Sequence, residues 1–363
     1  MTIRKLDRIV QTLTALLLAV VVNGCSLIDD DLSGCDTDQS IDYELELVTN
    51  MNIEINTQLS TIAELGVAAA LRSHLTKIFT DFAHDASLSF YDKTGDSLRA
   101  YHETHIMDAN QARYTFTLPR REYMHLAVAN VMDNRQVTLT DDDRCHGARL
   151  SELSASSGTA TATTPSDTLA SHTTGLFTAR QPMDVVEGQS HTYHVRLYMA
   201  NSAAALVVDP RGLDASNMQV FTTGFASAFS ICDSTYRFNA VPSIVRATAV
   251  NTAGVDQRCF CSVNFPSHDT QGPTATRTII ETTEPFVSLS ADQALWQFRA
   301  YVRQANGTIT ETVLGIHKPL RAGQLMIIKA YLTDDGALHT DDQTVGVSVT
   351  LDWQEAGHHD VEL

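Results

Sequence analysis

The chain has 363 residues, of which 43% are hydrophobic and 19% are charged. This composition excludes a disordered or collagen-like chain, and the length corresponds to about two domains of roughly 150 residues each. The formal net charge is -18. A field of that sign repels polyanions, so we expect no nucleic acid among the partners.

The N-terminus has the pattern of an export signal. Arg4, Lys5 and Arg8 precede an apolar run over residues 13–22. Such a run rises about 15 Å as a helix, roughly half the hydrocarbon thickness of a bilayer, which disfavours a permanent span. Residues 1–24 are therefore predicted to be a cleaved signal peptide.

The apolar run ends in Val22-Asn23-Gly24-Cys25, which resembles a bacterial lipobox. The resemblance implies that Cys25 carries a lipid that fastens the mature chain to the cell outer membrane. An ordinary secretory signal followed by a chance cysteine is the alternative. The run Asp29, Asp30 and Asp31 resembles the acidic signal that exports some Bacteroidetes lipoproteins to the cell surface. Its alternative is a solvated acidic linker, and we assign residues 25–40 to a linker.

The next segment indicates one helix followed by strands. Apolar residues from Thr61 to Phe82 follow three- and four-residue steps, which predicts an amphipathic helix. Leu88 to Asp92 is predicted to be a strand that leads into a turn. Tyr114, Phe116 and Leu118 alternate with threonines in a strand that Pro119 ends.

The stretch from Ser154 to Thr168 consists almost wholly of small residues, and we expect a mobile insert there. After it, alternation from Tyr193 to Met199 is followed at once by Leu206, so two strands are predicted to meet near Asn201.

The remaining sequence keeps the two-residue period of strands. Asn306-Gly307 predicts a hairpin, and Val345 to Trp353 alternates as a strand with one buried face. The predicted fold is mainly β, with two tandem antiparallel β-sandwich domains over residues 41–200 and 201–363 and one helix in the first.

Six cysteines are present, and five remain when Cys25 is set aside. At most two disulfides can form among them. The favoured pairing is Cys35 with Cys145, and Cys232 with Cys259 or Cys261. Cys259 and Cys261 are two apart in a predicted strand and so face one side, but further ligands at the spacing of a zinc site are lacking, and no metal is predicted.

The sequence carries no recognisable catalytic motif. His102-Glu103-Thr104-His105 has its histidines three apart, whereas a metalloprotease helix needs four. Nucleophile elbows and phosphate-binding glycine loops do not occur in the sequence. We therefore predict that the protein is not an enzyme and has no cofactor. A different function, glycan binding through Trp296 and Trp353, is the alternative, although core packing of both side chains is favoured.

Several segments, taken in order, resemble the FimB/Mfa type of fimbrial anchor lipoprotein of the Bacteroidales, the minor fimbrial subunit family. These segments are residues 25–35, 79–85, 88–92, 197–201, 349–353 and 360–363. The resemblance implies two transthyretin-like sandwiches on a lipid anchor at the outer membrane. It also implies a role in anchoring and terminating fimbriae, with pilin subunits bound by strand exchange and no catalysis.

Two questions stay open at this point. A surface glycan-binding lipoprotein or a tip adhesin is the alternative to a fimbrial anchor. The alternating segment from Val345 to Trp353 is either a strand that is donated to a neighbour or an ordinary last strand of the core.

Overall fold

A computed structural model of the chain shows a mainly β protein, with two helices among the residues that it describes. The structure describes residues 38–48, 50–62, 64–79, 85–92, 99–105, 113–130, 137–139, 154–157, 168–186, 191–232, 234–239, 242–252, 254–269, 278–280, 294–342 and 345–350.

The helices are α1 (Asn50–Leu59) and α2 (Leu65–Ile78). Strands β1 to β12, in chain order, are Asp38–Val48, Ala86–Asp92, Arg99–His105, Arg113–Pro119, Glu122–Ala129, Val137–Leu139, Ser154–Ser157, Thr168–Ala170, Phe177–Asp184, His191–Met199, Ser202–Asp209 and Met218–Thr223. Strands β13 to β23 are Ala228–Ser230, Thr235–Phe238, Ile244–Arg246, Thr248–Val250, Arg258–Asn264, Thr278–Ile280, Trp296–Arg303, Ile309–Ile316, Leu325–Leu332, Leu338–His339 and Val345–Thr350.

The strands form four sheets. Sheet I has the order β3-β2-β5-β9-β10-β1-β4, and sheet II has the order β16-β17-β11-β21-β22. Sheet III has the order β23-β20-β19-β12-β15-β8, and sheet IV has the order β18-β14-β13-β7-β6. No helix of the described ranges has the length and apolar character that a membrane crossing needs.

Sheet II lies at the centre of the molecule, because both of its faces are buried. Along β11, Ala203 and Ala205 join a core shared with the helices and sheet I. The intervening residues Ala204 and Leu206 join a second core shared with sheet III. Alternating side chains of one strand therefore hold two cores together, as the two-residue period of a strand dictates.

Helix α2 packs against the first core through Val67, Leu71, Leu75 and Ile78, at the spacing predicted from the sequence. It is shorter than predicted, and Leu65, which the apolar spacing placed on the buried face, is 84% exposed at its first turn. Helix α1 was not predicted. Its described core contacts are made by two side chains one turn apart, Ile55 and Leu59, and this is a weak periodic signal.

The prediction of a mainly β fold is confirmed. The sheets are mixed, however, where antiparallel sheets were predicted. β1 runs parallel to β10, and β11 runs parallel to β21. Alternation along a strand reports which face is buried but carries no information on the direction of the neighbouring strand, so the sequence pattern missed these pairs.

The small-residue stretch predicted to be mobile contains two short strands. Ser154–Ser157 pairs with Ala228–Ser230, and Thr168–Ala170 pairs with Ile244–Arg246. Both pairings cross the domain boundary predicted at Asn201. Ladder hydrogen bonds use main-chain groups, so a segment without apolar anchors can still be held in a sheet. Residues 158–167 lie outside the described residues.

Candidate subunit-docking edge

The last described strand, β23, forms one edge of sheet III and pairs there with β20 in antiparallel register. Val345 lies opposite Ile316, and Val347 lies opposite Leu314. An edge strand presents main-chain donors and acceptors along its free side, which is a template for another strand.

The core-facing side of this edge is open at one position. Val345 joins the core between sheets II and III, whereas Val347 on the same side of β23 is 36% exposed. Its register partner Leu314 is fully buried. The face predicted to be buried in this segment is thus covered at Val345 and uncovered at Val347. The place of a strand within its sheet decides how much of that face is covered, and side-chain alternation does not encode this place. Residues 351–363, including Trp353, lie outside the described residues.

The neighbouring strand β20 is held firmly against sheet II. The Thr312 hydroxyl accepts a hydrogen bond from the Leu338 N–H at 2.9 Å, and the Thr310 hydroxyl donates to the Asp335 carbonyl at 2.7 Å. The Asp335 carboxylate, which accepts from the Thr333 hydroxyl and the Ala337 N–H, has a lowered pKa for that reason. The edge strand β23 therefore pairs with a strand, β20, that hydrogen bonds hold against sheet II.

The opposite face of sheet III is closed by its own side chains. Tyr301 donates a hydrogen bond to Glu311 at 2.8 Å and meets Phe221 edge to face at a ring separation of 5.7 Å. Arg299 lies 3.6 Å from the same carboxylate. Burial, followed by the Glu311 charge, raises the pKa of Tyr301. The phenol thus stays neutral, and the exposed apolar position of this sheet lies on the other side.

The edge of sheet I formed by β4 is different in character. Its inward side chains Tyr114 and Leu118 are buried, its outward side chains Thr115 and Thr117 are exposed, and Pro119 ends it. Outward polar residues and a terminal proline are devices that protect an edge from pairing. Among the described side chains of these two edges, the uncovered apolar one, Val347, is on β23.

Most residues predicted to act at the membrane lie outside the described residues. They are Cys25, Asp29, Asp30 and Asp31, and the disulfide candidates Cys35 and Cys145 lie outside the described residues as well. Lipid attachment, the acidic export signal and the pairing of Cys35 with Cys145 stay predictions. The structure describes Cys232, Cys259 and Cys261 as buried free thiols.

The disulfide predicted between Cys232 and Cys259 or Cys261 is not formed. Cys232 packs with Phe229 and Phe265 beside sheet IV, whereas the other two cysteines lie in the core beneath the helices. The prediction that Cys259 and Cys261 face one side is correct. The predicted pairing with Cys232 was wrong, because the number of cysteines in a sequence does not indicate which hydrophobic core each of them joins.

The residues considered for ligand binding from the sequence are either buried in the core or outside the described side chains. Trp296 is fully buried, and its indole N–H donates to the Lys318 carbonyl at 3.0 Å, so it packs in the core. The side chains of His102 and His105, in β3, lie outside the described residues. Within the described ranges, no group of three or more His, Cys, Asp or Glu side chains is arranged to hold a metal.

No family model matches the chain, and no curated protein matches it significantly. Several solved structures match the chain at low sequence identity. Proteins from Bacteroides thetaiotaomicron that are proposed to bind polysaccharide (DUF1812) match with a TM-score of 0.49 and 10% identity, over 84% of this chain and 98% of theirs.

Two structures from Porphyromonas gingivalis also match. The fimbrial anchor protein Mfa2 is 10% identical with a TM-score of 0.43, over 87% of this chain and 98% of its own. The tip fimbrial protein Mfa3, truncated at its C-terminus, is 12% identical with a TM-score of 0.38, over 87% of this chain and 100% of its own.

Proposed function

We propose that the protein is a structural subunit that anchors and terminates fimbriae at the outer membrane, and that a pilin subunit docks on the β23 edge by strand addition. The observation that carries the proposal is the exposed Val347 beside the fully buried Leu314 at the edge that β23 forms among the described strands of sheet III. An incoming strand would pair with the main chain of β23 and cover that side chain.

The chemistry of strand addition suits this edge. Main-chain hydrogen bonds along the free side of β23 supply affinity that is independent of side-chain identity, and the exposed valine supplies register. Because β20 is fixed to sheet II through Thr310 and Thr312, docking there orders no further strand of the subunit.

The proposed position at the base of the fimbria rests on the N-terminus. A lipid on Cys25 would hold this subunit to the membrane, since several acyl chains bind a bilayer almost permanently whereas one chain binds reversibly. The aspartates at residues 29–31 would direct the anchored chain to the cell surface. A tip subunit would not need such an anchor, so the anchor role is favoured over the tip role. The role requires no catalysis and no cofactor.

Deletion of the gene tests the anchor role in the cell. We expect fimbriae to be released into the medium or to change in length, because nothing then fastens or ends the polymer. Electron microscopy of cells and quantification of pilin in the supernatant measure both effects. Fimbriae that stay attached at normal length in the deletion strain would contradict the proposal.

Substitution of the lipid cysteine separates anchoring from docking. We expect Cys25→Ser to abolish acylation and move the protein from the membrane fraction to the soluble fraction, as intact-mass measurement and fractionation would show. Cys232→Ser, which removes a buried free thiol, is the matched control and should stay in the membrane fraction. An unacylated mature terminus in the wild-type protein would exclude the anchor.

A further inference from the structure

A second feature of the molecule is a cleft of about 510 Å³ at one end of sheet II, next to the connection between α1 and α2. Its lining includes the charged residues Glu64, Asp209, Arg211, Lys329, Asp341 and Asp342. Its volume is within the range that small ligands occupy, and ligand clefts are common where structural units meet. It lies away from Val347 on β23, which does not line it.

Arg211 is held at the cleft in an unusual way. Its φ of 51° is in the left-handed region, which is costly for a side chain of this kind, and Gly212 follows with a φ of 83°. The Asp209 carboxylate accepts the Arg211 main-chain N–H at 3.0 Å. The guanidinium lies over the Tyr331 ring, 3.4 Å from its centroid. The turn and the ring together fix the direction of the arginine.

Within the part of the chain that the structure describes, no carboxylate forms an ion pair with Arg211, although the chain has 43 acidic and 25 basic residues. Its in-plane N–H groups are therefore donors available to a ligand. Lys329 supplies a second cation at the same cleft and donates to the Thr61 carbonyl.

The remaining groups of the cleft decide the class of ligand. The cleft has four carboxylates and two cations, since Asp209 lines it together with Glu64, Asp341 and Asp342. An anionic ligand would therefore be repelled. A metal ion is not favoured, because these carboxylates do not converge as a ligand set among the described residues. A ligand rich in hydroxyl groups satisfies both kinds of partner, since each hydroxyl donates to a carboxylate and accepts from a cation.

We propose that this cleft is a binding site for an uncharged saccharide, with Arg211 as its principal donor and the carboxylates of the lining as acceptors. Tyr331 is covered by Arg211 on one side and stacks with His339 at a ring separation of 5.9 Å, so the tyrosine positions the arginine rather than the sugar. The site is separate from the two tryptophans considered in the sequence, and it does not depend on the proposed docking edge.

Binding of defined sugars tests the site directly. The full mature chain is titrated with mannose, galactose and N-acetylglucosamine and with trisaccharides of each, and binding is followed by saturation-transfer NMR. We expect at least one probe to bind with a Kd of about 1 mM or tighter. Arg211→Asn introduces a side chain that tolerates the left-handed region of backbone conformation. It should weaken that binding about tenfold, because the site loses a charged hydrogen-bond donor.

Arg246→Asn is the matched control, because Arg246 is exposed and also lies over a ring, that of Phe221, outside the cleft. Its sugar affinity should equal that of the wild-type protein. The proposal is overturned if none of the probes binds, if Arg211→Asn binds as tightly as the wild type, or if the two arginine variants weaken binding equally. A thermal unfolding curve of each variant confirms that it is folded.

Discussion

The side-chain amide of Asn201 donates a hydrogen bond to His172 Nδ1 at 2.7 Å, at the point where the chain passes from sheet I to sheet II. The amide oxygen of Asn201 accepts the Leu176 N–H at 2.6 Å, and its main-chain carbonyl accepts the Gly323 N–H at 2.8 Å. One fully buried asparagine thereby joins three segments of the chain. A boundary predicted from two adjoining strand patterns is a packed junction in the structure.

Replacement of this asparagine should be costly. We expect Asn201→Ala to lower the free energy of unfolding by about 2 to 4 kcal/mol. The substitution leaves the buried Leu176 N–H and the buried His172 Nδ1 without their hydrogen-bond partner and creates a small void. Urea denaturation measures the loss. Asn217→Ala, at an exposed asparagine, is the control and should change stability by less than about 0.5 kcal/mol. Equal losses in the two variants would refute a structural role for the junction.

Two buried histidines, His172 at this junction and His125 in sheet I, make stability depend on pH. Burial lowers the pKa of His172 to about 4 and that of His125 to about 3, below the ordinary value of 6.5. The unfolded chain therefore takes up these protons first as the pH falls. Stability present above pH 6.5 is lost progressively between pH 6.5 and 4, at up to about 1.4 kcal/mol per pH unit for each histidine.

His172→Gln keeps an acceptor for the Asn201 amide but does not titrate. Its unfolding free energy, measured between pH 7 and 4.5, should fall less steeply than that of the wild-type protein. His317→Gln, which removes one exposed histidine, is the matched control. Parallel curves for His172→Gln and the wild type would mean that His172 does not contribute to the acid sensitivity.

The buried thiols should be inert in the folded protein. Burial raises the pKa of Cys259 to about 12, and burial, followed by the neighbouring Cys259, raises the pKa of Cys261 well above its ordinary value. We expect iodoacetamide at pH 8 to leave Cys232, Cys259 and Cys261 unmodified until the chain is unfolded, as peptide mass spectrometry would detect. A peptide pair joined through Cys232 without reduction would instead restore the disulfide predicted from the sequence.

Two valines on one side of β23 should respond differently to the same change. Val345→Asp introduces a charge into the core between sheets II and III and should destabilise the protein by about 3 kcal/mol or more. Val347→Asp places the charge at the partly exposed position and should cost less than about 1 kcal/mol. Thermal denaturation compares them. Only the second variant should stay folded while losing co-purification with pilin.

Much of the strand content followed from the sequence because side-chain alternation directly reports burial. In β10, Val195 and Leu197 are buried while His194 and Arg196 are exposed, as predicted. Gly307, at the predicted hairpin, has a φ of 88°. These features depend on neighbouring residues, which a sequence shows.

Features that depend on distant partners did not follow from the sequence. The parallel pairing of β1 with β10, helix α1 and the separation of Cys232 from Cys259 are set by tertiary packing. The open position at Val347 is of the same kind, since alternation marked it as core-facing but only its place at a sheet edge exposes it. The cleft beside Arg211 gave no sequence signal, because its lining comes from separate segments.

Cross-linking from position 347 in fimbriated cells tests the docking edge most directly. A photoreactive amino acid replaces Val347 and, as the control, the exposed Arg196 on the face of sheet I. After irradiation, position 347 should yield a covalent product with a pilin subunit, identified by mass spectrometry, and position 196 should not. Absence of a pilin product from position 347, or equal yields from both positions, would contradict strand addition at β23.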